Sequence, residues 1–272
     1  MSNLTTTTSA VFIPEKWSTD VIRAREAKLV MAKIVKRFDS DATDGDTIHV
    51  PNISHLVANE KVQGVDVSFQ APTESEITIN LDQHYECSFK LEDIVKVQSK
   101  YDLNSEYTRE TGYALAKQID GTLTALATGF SQTTGTYNTA ITTDVILDAI
   151  QLLDDADVPE DDRHFVMKPK TKRDIIDIAT YISNDFVNGK PVESGKLGSI
   201  YGVDAHMTTQ IVKSGNNTNN MLFHRDALAL AVQKDVTTNS DYATASIAHI
   251  VVTDSLWGVK ELRDDHGVLV KS

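Results

Sequence analysis

The stretch NSEYTRETGYALAKQIDGTLTALATGF, residues 104–130, is the best-patterned segment of the chain. Its apolar residues return at steps of three or four, which is the spacing of one face of an α-helix. They are Leu115, Ile119, Leu123, Leu126 and Phe130. The pattern predicts an amphipathic helix in mid-chain, the longest in the molecule. This helix decides the class of fold, because the segments directly before it follow a different period.

Three runs before this helix alternate apolar and polar residues with period two: TIHVPNI (47–53), EITINLD (76–82) and ECSFKLEDI (86–94). Period two is typical of half-buried strands, and we interpret the runs as strands of one long β-hairpin. The connection from about Ile53 to Glu76 has too few apolar residues to form a core of its own. The sequence therefore predicts a loop that projects from the body of the protein.

The remaining segments predict a mixture of helices and strands. A polar, Thr-rich arm leads into apolar residues near helical spacing between Pro14 and Phe38, which predicts an amphipathic helix. Beyond residue 140 the pattern predicts a helix carrying Ile146, Ile150 and Leu153, a strand HFVMKP (164–169), a helix KTKRDIIDIATYIS (170–183), a strand running into a helix over MLFHRDALALAVQKD (221–235), and two or three closing strands with turns at Ser255 and Gly267.

Composition excludes several classes of protein. The chain has 272 residues and is 40% hydrophobic, which is enough to bury a sizeable core. Its net charge of −13 argues against tight binding to a nucleic acid backbone, since that affinity comes from Lys and Arg. Cys87 is the only cysteine, so an intrachain disulfide is impossible, and we interpret it as a core residue. The first residues predict neither a signal peptide nor a membrane anchor, and we expect folding in a cytoplasm.

The stretch SGKLGSIYGVDAHMTTQI, residues 194–211, has glycines and a lysine but not the spacing of a phosphate-binding loop. The residue after Lys196 is Leu197, which offers no hydroxyl to a metal ion. We interpret Gly198 to Gly202 as a turn that opens into a strand.

Other candidate sites are equally weak. The acidic run DDADVPEDD, residues 154–162, lacks the glycine that a calcium loop requires, and we interpret it as a solvated helix end. His49 and His55 flank a strand, but no further Cys or His completes a zinc set. We predict no catalytic residue, no cofactor and no metal site.

The order of these parts resembles the major capsid proteins of tailed bacteriophages, and the similarity covers nearly the whole chain. The segments that carry it are PEKWSTDV (14–21) at the arm-to-helix junction, DGDTIHVP (44–51) before the extended loop, GYALAKQIDGTL (112–123) in the spine helix, GSIYGVDAHMTTQI (198–211) at a turn before a strand, and FHRDALALAVQ (223–233) at an alanine-rich helix start. Each motif alone has low specificity, and the resemblance rests on their combined order along the chain.

The resemblance implies an α+β fold of the tailed-phage capsid type with five parts. They are an N-terminal arm and helix (1–40), an extended β-hairpin loop with its base strands (41–95), the spine helix and start of a peripheral domain (96–140), an axial α/β domain (141–235), and closing strands of the peripheral sheet domain and the axial domain (236–272). The Gly198 to Gly202 turn would be a structural corner of this fold.

The resemblance also implies a function without catalysis. The chain would be a structural subunit that self-assembles, as pentamers and hexamers, into the icosahedral virion shell around double-stranded DNA, after synthesis in the bacterial host cytoplasm. A separate scaffolding protein is expected because no long scaffolding segment precedes the arm. A portal protein is a further expected partner, the packaged DNA lies in non-specific proximity, and no membrane is involved. Lys61 lies near the loop, but no match to the other partners of a crosslink is found, and we predict none.

The loop also provides the candidate interface residues. Its apolar side chains are too sparse for a local core and too many to stay in water without a purpose. In the resembled family this loop lies across the neighbouring subunit. We therefore predict subunit contacts at Trp17, Val57, Val62, Val65, Val67 and Phe69.

Three alternatives remain open on the sequence alone. Encapsulin shells of bacteria share the resembled fold and are separated from phage coats only weakly. A phage tail or surface adhesion protein would also be rich in strands, but it would rarely place its best pattern in a mid-chain helix. An α/β enzyme would alternate strands and helices from its start, which the hairpin before the long helix argues against.

Overall fold

The computed structural model describes residues 29–53, 56–61, 63–64, 66–67, 69–71, 74–99, 103–178, 198–214 and 217–272. The helices are α1 (Met31–Ile34), α2 (Asp93–Gln98), α3 (Leu103–Ala125), α4 (Thr143–Asp155) and α5 (Pro169–Ile176). The strands are β1 (Lys36–Arg37), β2 (Thr47–Ile53), β3 (Glu74–Asn80), β4 (Gln83–Glu92), β5 (Gln132–Gly135), β6 (Arg163–Met167), β7 (Ser199–Ile200), β8 (Val203–Met207), β9 (Lys213–Ser214), β10 (Asn217–His224), β11 (Leu228–Ala243), β12 (Ala248–Glu261) and β13 (Gly267–Lys271).

The strands form two larger sheets and one hairpin. The four-stranded sheet has the order β1-β11-β12-β4, and the seven-stranded sheet has the order β5-β13-β10-β6-β8-β7 with β9 paired to β10. The strands β2 and β3 pair only with each other among the described residues. Helices pack against both larger sheets, so the fold belongs to the α+β class that the sequence predicts.

The long helix predicted from residues 104–130 is confirmed as α3, with 23 residues. Its residues Leu115, Ile119 and Leu123 are buried, as their helical spacing requires. Ile119 and Leu123 belong to the largest core cluster, which also holds Trp257 of β12 and Phe223 of β10. This helix therefore joins the two sheets through one continuous core.

The predicted helix between Pro14 and Phe38 ends earlier than its pattern indicates. Residues 1–28 lie outside the described residues, and within the rest α1 ends at Ile34. The chain then becomes extended, and Lys36–Arg37 pairs in parallel with Ala229–Leu230 of β11. The prediction was wrong at this end because pairing with a buried strand outweighs helical spacing in a short segment.

A buried carboxylate of α3 holds the start of α1. The Oδ2 atom of Asp120 accepts a hydrogen bond of 2.9 Å from the backbone N–H of Val30. Burial raises the pKa of Asp120 above its usual range, and the N–H groups of Val30, Met31 and Ala32 oppose this shift. The carboxylate of α3 thus accepts hydrogen bonds from N–H groups at the start of α1, which have no acceptor within their own helix.

Replacing Asp120 by alanine should therefore destabilise the subunit by about 2 kcal/mol, because buried N–H donors of α1 would lose their acceptor. Urea unfolding of the wild type and Asp120→Ala would measure the loss. The matched control is Asp148→Ala, which removes an exposed carboxylate from α4 and should change stability little. A difference between the two variants within error would show that the carboxylate does not support α1.

All three strands predicted between residues 46 and 93 are confirmed, but only two of them form the hairpin. The strands β2 and β3 pair in antiparallel register from Thr47↔Asn80 to Ile53↔Glu74. The third run forms β4, which pairs with β12 instead of extending the hairpin. Its alternating residues Cys87, Phe89 and Leu91 are half-buried or buried, and Phe89 lies against Tyr107 of α3. The apolar face of β4 therefore belongs to the body and not to the projecting loop.

The predicted helix after His224 is wrong, and so is the helix start inferred for residues 223–233. Residues 228–243 form the long strand β11. Leu228 and Leu230 lie in the main core, whereas Ala229 and Ala231 lie in a smaller core under the hairpin base. A strand buried on both faces reads as a continuous apolar run, which periodicity cannot separate from a helix.

The predicted turn at Ser255 is also wrong, because β12 runs without a break from Ala248 to Glu261. Ser255 is buried, and its hydroxyl donates to the carbonyl of Lys234 at 2.8 Å. The turn predicted at Gly267 lies close to an observed one. A short 3₁₀ turn at Asp264–His266 comes directly before β13, which begins at Gly267.

The seven-stranded sheet has its own core on one face. The predicted helix with Ile146, Ile150 and Leu153 is confirmed as α4, and the strand predicted at residues 164–169 is confirmed as β6. The first part of the helix predicted at residues 170–183 is observed as α5. Its later part, from residue 179, lies outside the described residues. None of the helices in the described ranges is both long and apolar enough to cross a membrane.

Candidate subunit interface

The hairpin β2–β3 carries apolar side chains into solvent where it leaves the body. Phe69 is 93% exposed and Val57 is 69% exposed, values that a residue of a packed core does not have. A contiguous group of exposed apolar side chains usually marks an interaction site. We call this group the loop surface: Ile53, Leu56, Val57, Val67 and Phe69.

One side chain ties the two arms of this loop together. The amide of Gln70 accepts a hydrogen bond of 3.0 Å from the N–H of Val57 and donates to the carbonyl of Val57. A side-chain amide thus takes the place of one rung of a strand ladder. The pairing keeps the arms adjacent while both apolar side chains beside it, Val57 and Phe69, stay exposed.

The structure describes only some of the predicted contact residues. Val57, Val67 and Phe69 are all exposed on the loop. Val62, Val65 and Trp17 lie outside the described residues. Ile53 and Leu56 were not among the predicted contacts, although both are apolar and exposed at the end of β2. Both could have been predicted as contacts from the sequence, because apolar residues at a strand end that have no buried neighbour resemble the apolar residues of the loop.

A second exposed apolar group lies at the far end of the four-stranded sheet. Helix α2 has no buried residue, and its Ile94, Val95 and Val97 are exposed. The N–H of Asp93 donates to the carbonyl of Ile247 in the β11–β12 connection, at 3.2 Å. We call these four apolar residues the end patch: Ile94, Val95, Val97 and Ile247. Sequence analysis missed it, because Ile94 was interpreted as the end of a strand.

Backbone strain accompanies the end patch. Ile247 has φ of 48° and ψ of 56°, the left-handed conformation, which is costly for a β-branched residue. Its side chain is nevertheless 63% exposed, so burial within the subunit does not offset this cost. Strained backbone conformations cluster at functional sites, so this conformation supports a functional role for the end patch.

The predicted turn at Gly198 to Gly202 is the connection of a small β-hairpin. Ile200 pairs with Val203, and the two residues between them, Tyr201 and Gly202, have φ of 49° and 82°. Positive φ at both central positions is the geometry of a tight hairpin turn, and it favours glycine at the second. Gly198 does not have positive φ; its carbonyl accepts from the N–H of Ala205 at 3.0 Å.

One group of side chains in the described part of the chain could hold a metal ion: His164, Asp204 and His206. The sequence predicts no metal site, because these three residues are not close along the chain and His49 and His55 alone do not complete a ligand set. In the structure His49 lies beside Glu76 of β3, with 3.3 Å between Nδ1 and Oε2, and His55 lies outside the described residues.

The charged side chains of the four-stranded sheet meet at Asp254. The hydrogen bond from Lys234 lowers the pKa of Asp254 to about 2, His84 and Thr237 add to this effect, and burial opposes it. His84 Nε2 lies 3.1 Å from Asp254 Oδ2, and the Thr237 hydroxyl donates to Oδ1 at 3.2 Å. One carboxylate therefore links strands β4, β11 and β12.

This linkage makes stability depend on pH at the acidic end. Because the folded-state pKa of Asp254 is below its ordinary value of 3.8, its contribution is present above that value and is lost as the pH falls through about 2. We expect Asp254→Asn to cost about 1 kcal/mol at pH 7, given partial solvent screening. Urea unfolding between pH 7 and pH 2 would measure the free energy of unfolding of both proteins. The difference between wild type and Asp254→Asn should narrow below pH 4 and disappear near pH 2. A difference that stayed constant over this range would contradict the assignment.

The family model described as phage capsid protein matches residues 35–258. No curated protein matches the sequence significantly.

Solved structures of phage particles have the same fold. A chain from Mycobacterium phage Che8 is 22% identical with a TM-score of 0.85, over 95% of this chain and 97% of that chain. A chain from the capsid of Cyanophage P-SCSP1u is 16% identical with a TM-score of 0.76, over 97% and 93%. A chain from the mature capsid of bacteriophage PhiM1 is 13% identical with a TM-score of 0.76, over 95% and 91%.

Proposed function

Because the chain belongs to the phage capsid protein family, we propose that the loop surface and the end patch are the contacts by which each subunit binds its neighbours. The protein is a structural subunit of a phage capsid shell and not an enzyme. The family match supports this reading and gives no support to an encapsulin-like shell or an adhesion protein.

The observation that carries the proposal is the exposure of the loop surface. An isolated subunit leaves Phe69, Val57 and Leu56 in water, and their burial against another chain would contribute about 1.5–3 kcal/mol for each large side chain. The loop surface lies on the β2–β3 hairpin and the end patch lies at α2 and the β11–β12 connection, so each subunit has two separate apolar surfaces with which to contact more than one neighbour. A closed shell requires that arrangement, whereas a simple dimer needs only one self-complementary surface.

The finer features of assembly belong to the same proposal. Self-assembly into shells through pentamers and hexamers agrees with the capsid particles in which the structural relatives occur. We propose that a separate scaffolding protein guides this assembly, that a portal protein occupies one vertex, and that the subunit is made in the cytoplasm of the bacterial host. Gly202 then serves as a structural corner of the fold, and Trp17, Val62 and Val65 are proposed as further contact residues.

Particle formation tests the proposal. The full-length chain would be purified alone and after co-expression with the scaffolding protein of the same phage, followed by light scattering and negative-stain electron microscopy. We expect closed particles in the megadalton range, built from subunits of 29.9 kDa. Material that remained monomeric or formed only a small oligomer in both preparations would contradict the proposal.

A further prediction concerns the packaged DNA. The net charge of −13 means that the shell subunit repels phosphates at short range, which lets DNA move along the inner wall during packaging. We expect no measurable binding of double-stranded DNA to the purified protein, even at low salt. Fluorescence anisotropy of a labelled duplex would measure it, and micromolar affinity at physiological salt would contradict the prediction.

A further inference from the structure

The candidate metal ligands lie on two neighbouring parallel strands of the seven-stranded sheet. His164 belongs to β6, and Asp204 and His206 belong to β8, with His164 opposite Asp204 in the register. The residues that alternate with them, Phe165 and Ala205, pack into the core under α4 and α5. Because side chains alternate between the faces of a strand, the three candidate ligands share the opposite face.

The spacing of the two imidazoles fits one metal ion. His206 Nε2 lies 3.3 Å from His164 Nδ1, and the ligand atoms of all three residues lie within 4.8 Å of one another. Two nitrogens bound to a tetrahedral zinc ion at about 2.0–2.1 Å are themselves about 3.3 Å apart. The histidine pair therefore has the separation of two ligands already, and an oxygen of the exposed Asp204 carboxylate lies within 4.8 Å of both nitrogens.

The surroundings of the two rings suit a bound cation. A metal ion would replace the hydrogen bond between His206 Nε2 and His164 Nδ1 and bind one nitrogen of each imidazole. One side of the His164 ring faces Phe223, with 6.1 Å between the ring centroids. The carboxylate of Asp204 provides the negative charge that partly neutralises a divalent cation.

We propose that His164, Asp204 and His206 form a site for a divalent transition-metal cation of the zinc class, with one nitrogen from each histidine and one carboxylate oxygen as ligands. Two imidazoles and one carboxylate suit zinc and its neighbours, whereas magnesium and calcium select oxygen ligands alone. A bound ion would fasten β8 to β6. The ion would thereby hold the β7–β8 hairpin, with its turn at Gly202, on the sheet.

A titration of the full-length protein tests the site. After treatment with a chelator, the protein would be titrated with Zn²⁺ by calorimetry and with Co²⁺ by visible absorption, which reports coordination geometry directly. We expect one equivalent of Zn²⁺ per subunit, a tetrahedral Co²⁺ spectrum, and a melting temperature that rises with Zn²⁺ concentration. This test does not depend on assembly, so its result is separate from that of the proposed function.

Variants locate the ion. His206→Gln and Asp204→Asn change residues that are half-buried and exposed, so both should stay folded by circular dichroism. Each should weaken Zn²⁺ binding at least about tenfold and abolish the thermal shift. His49→Gln removes an exposed histidine of the hairpin and should bind Zn²⁺ like wild type. The proposal is overturned if the wild type binds no equivalent of Zn²⁺, as for a simple histidine–histidine hydrogen bond, or if all three variants bind like wild type.

Discussion

Replacing Phe69 and Val67 together by serine will prevent shells from forming while leaving a folded subunit. Both side chains are exposed in the subunit, so their removal takes nothing from its core. In the shell, burial of Phe69 against a neighbour would contribute about 2 kcal/mol at every copy of the contact. Because a closed shell repeats this contact many times, a small loss for each subunit becomes a complete loss of assembly.

Light scattering and electron microscopy would measure assembly of the double variant, and circular dichroism with thermal melting would measure folding of its isolated chain. Gln63→Ser is the matched control, since it changes an exposed polar residue of the same loop and should assemble like wild type. A double variant that failed to fold as a monomer would place both residues in the core. Normal shells from the double variant would exclude the loop surface as a subunit contact.

The second large effect is expected at Gly258, where even one methyl group has no room. A Cβ atom there would lie 2.2 Å from the carbonyl oxygen of Asn80 and 3.0 Å from the side chain of Leu81. Asn80 cannot move away easily, because it pairs with Thr47 at the base of the hairpin. Gly258→Ala should therefore destabilise the subunit by about 3 kcal/mol, at the upper end of what overpacking costs.

A second glycine gives the control with the opposite sign. Gly112 lies within α3, and a Cβ atom there would meet nothing within 4 Å. Gly112→Ala should stabilise the isolated subunit by about 0.5–1 kcal/mol, because glycine is costly in a helix interior. Urea unfolding of both variants would measure the two changes. Equal effects of the same sign would show that the close approach of β12 to β3 does not restrict Gly258.

The elements that the sequence predicts correctly are those whose apolar pattern has one clear period. Helix α3 buries a single stripe containing Leu115 and Leu123, and the base of the hairpin β2–β3 alternates, with Ile48 and Ile79 buried. In both cases one partner surface explains the buried residues. Local chemistry also sufficed at Gly202, whose place between two short strands is visible in the sequence.

The elements that the sequence misses are buried on two faces or end through distant pairing. The run from Leu228 to Ala231 serves two different cores, so it has no period that distinguishes a strand from a helix. Ser255 looks like a turn residue, but the carbonyl of Lys234 on the neighbouring strand accepts from its hydroxyl. These outcomes depend on which strands become neighbours, which no local window contains.

The candidate sites divide in the same way. Val57, Val67 and Phe69 could be predicted, because apolar residues within a polar loop are visible along the chain. The end patch could not, since Ile247 meets α2 only through the fold. His164 and His206 are separated by 42 positions and meet because β6 and β8 are parallel neighbours in the sheet. A ligand set of this kind has no sequence spacing that a motif could describe.

The most direct test of the central claim, that the loop surface is completed by a neighbouring subunit, is a cryo-electron microscopy map of the assembled particle. We expect a closed shell in which Phe69 and Val57 are buried against an adjacent copy of the chain. A shell in which the loop of each subunit lay exposed on the surface, or folded back against its own body, would contradict it.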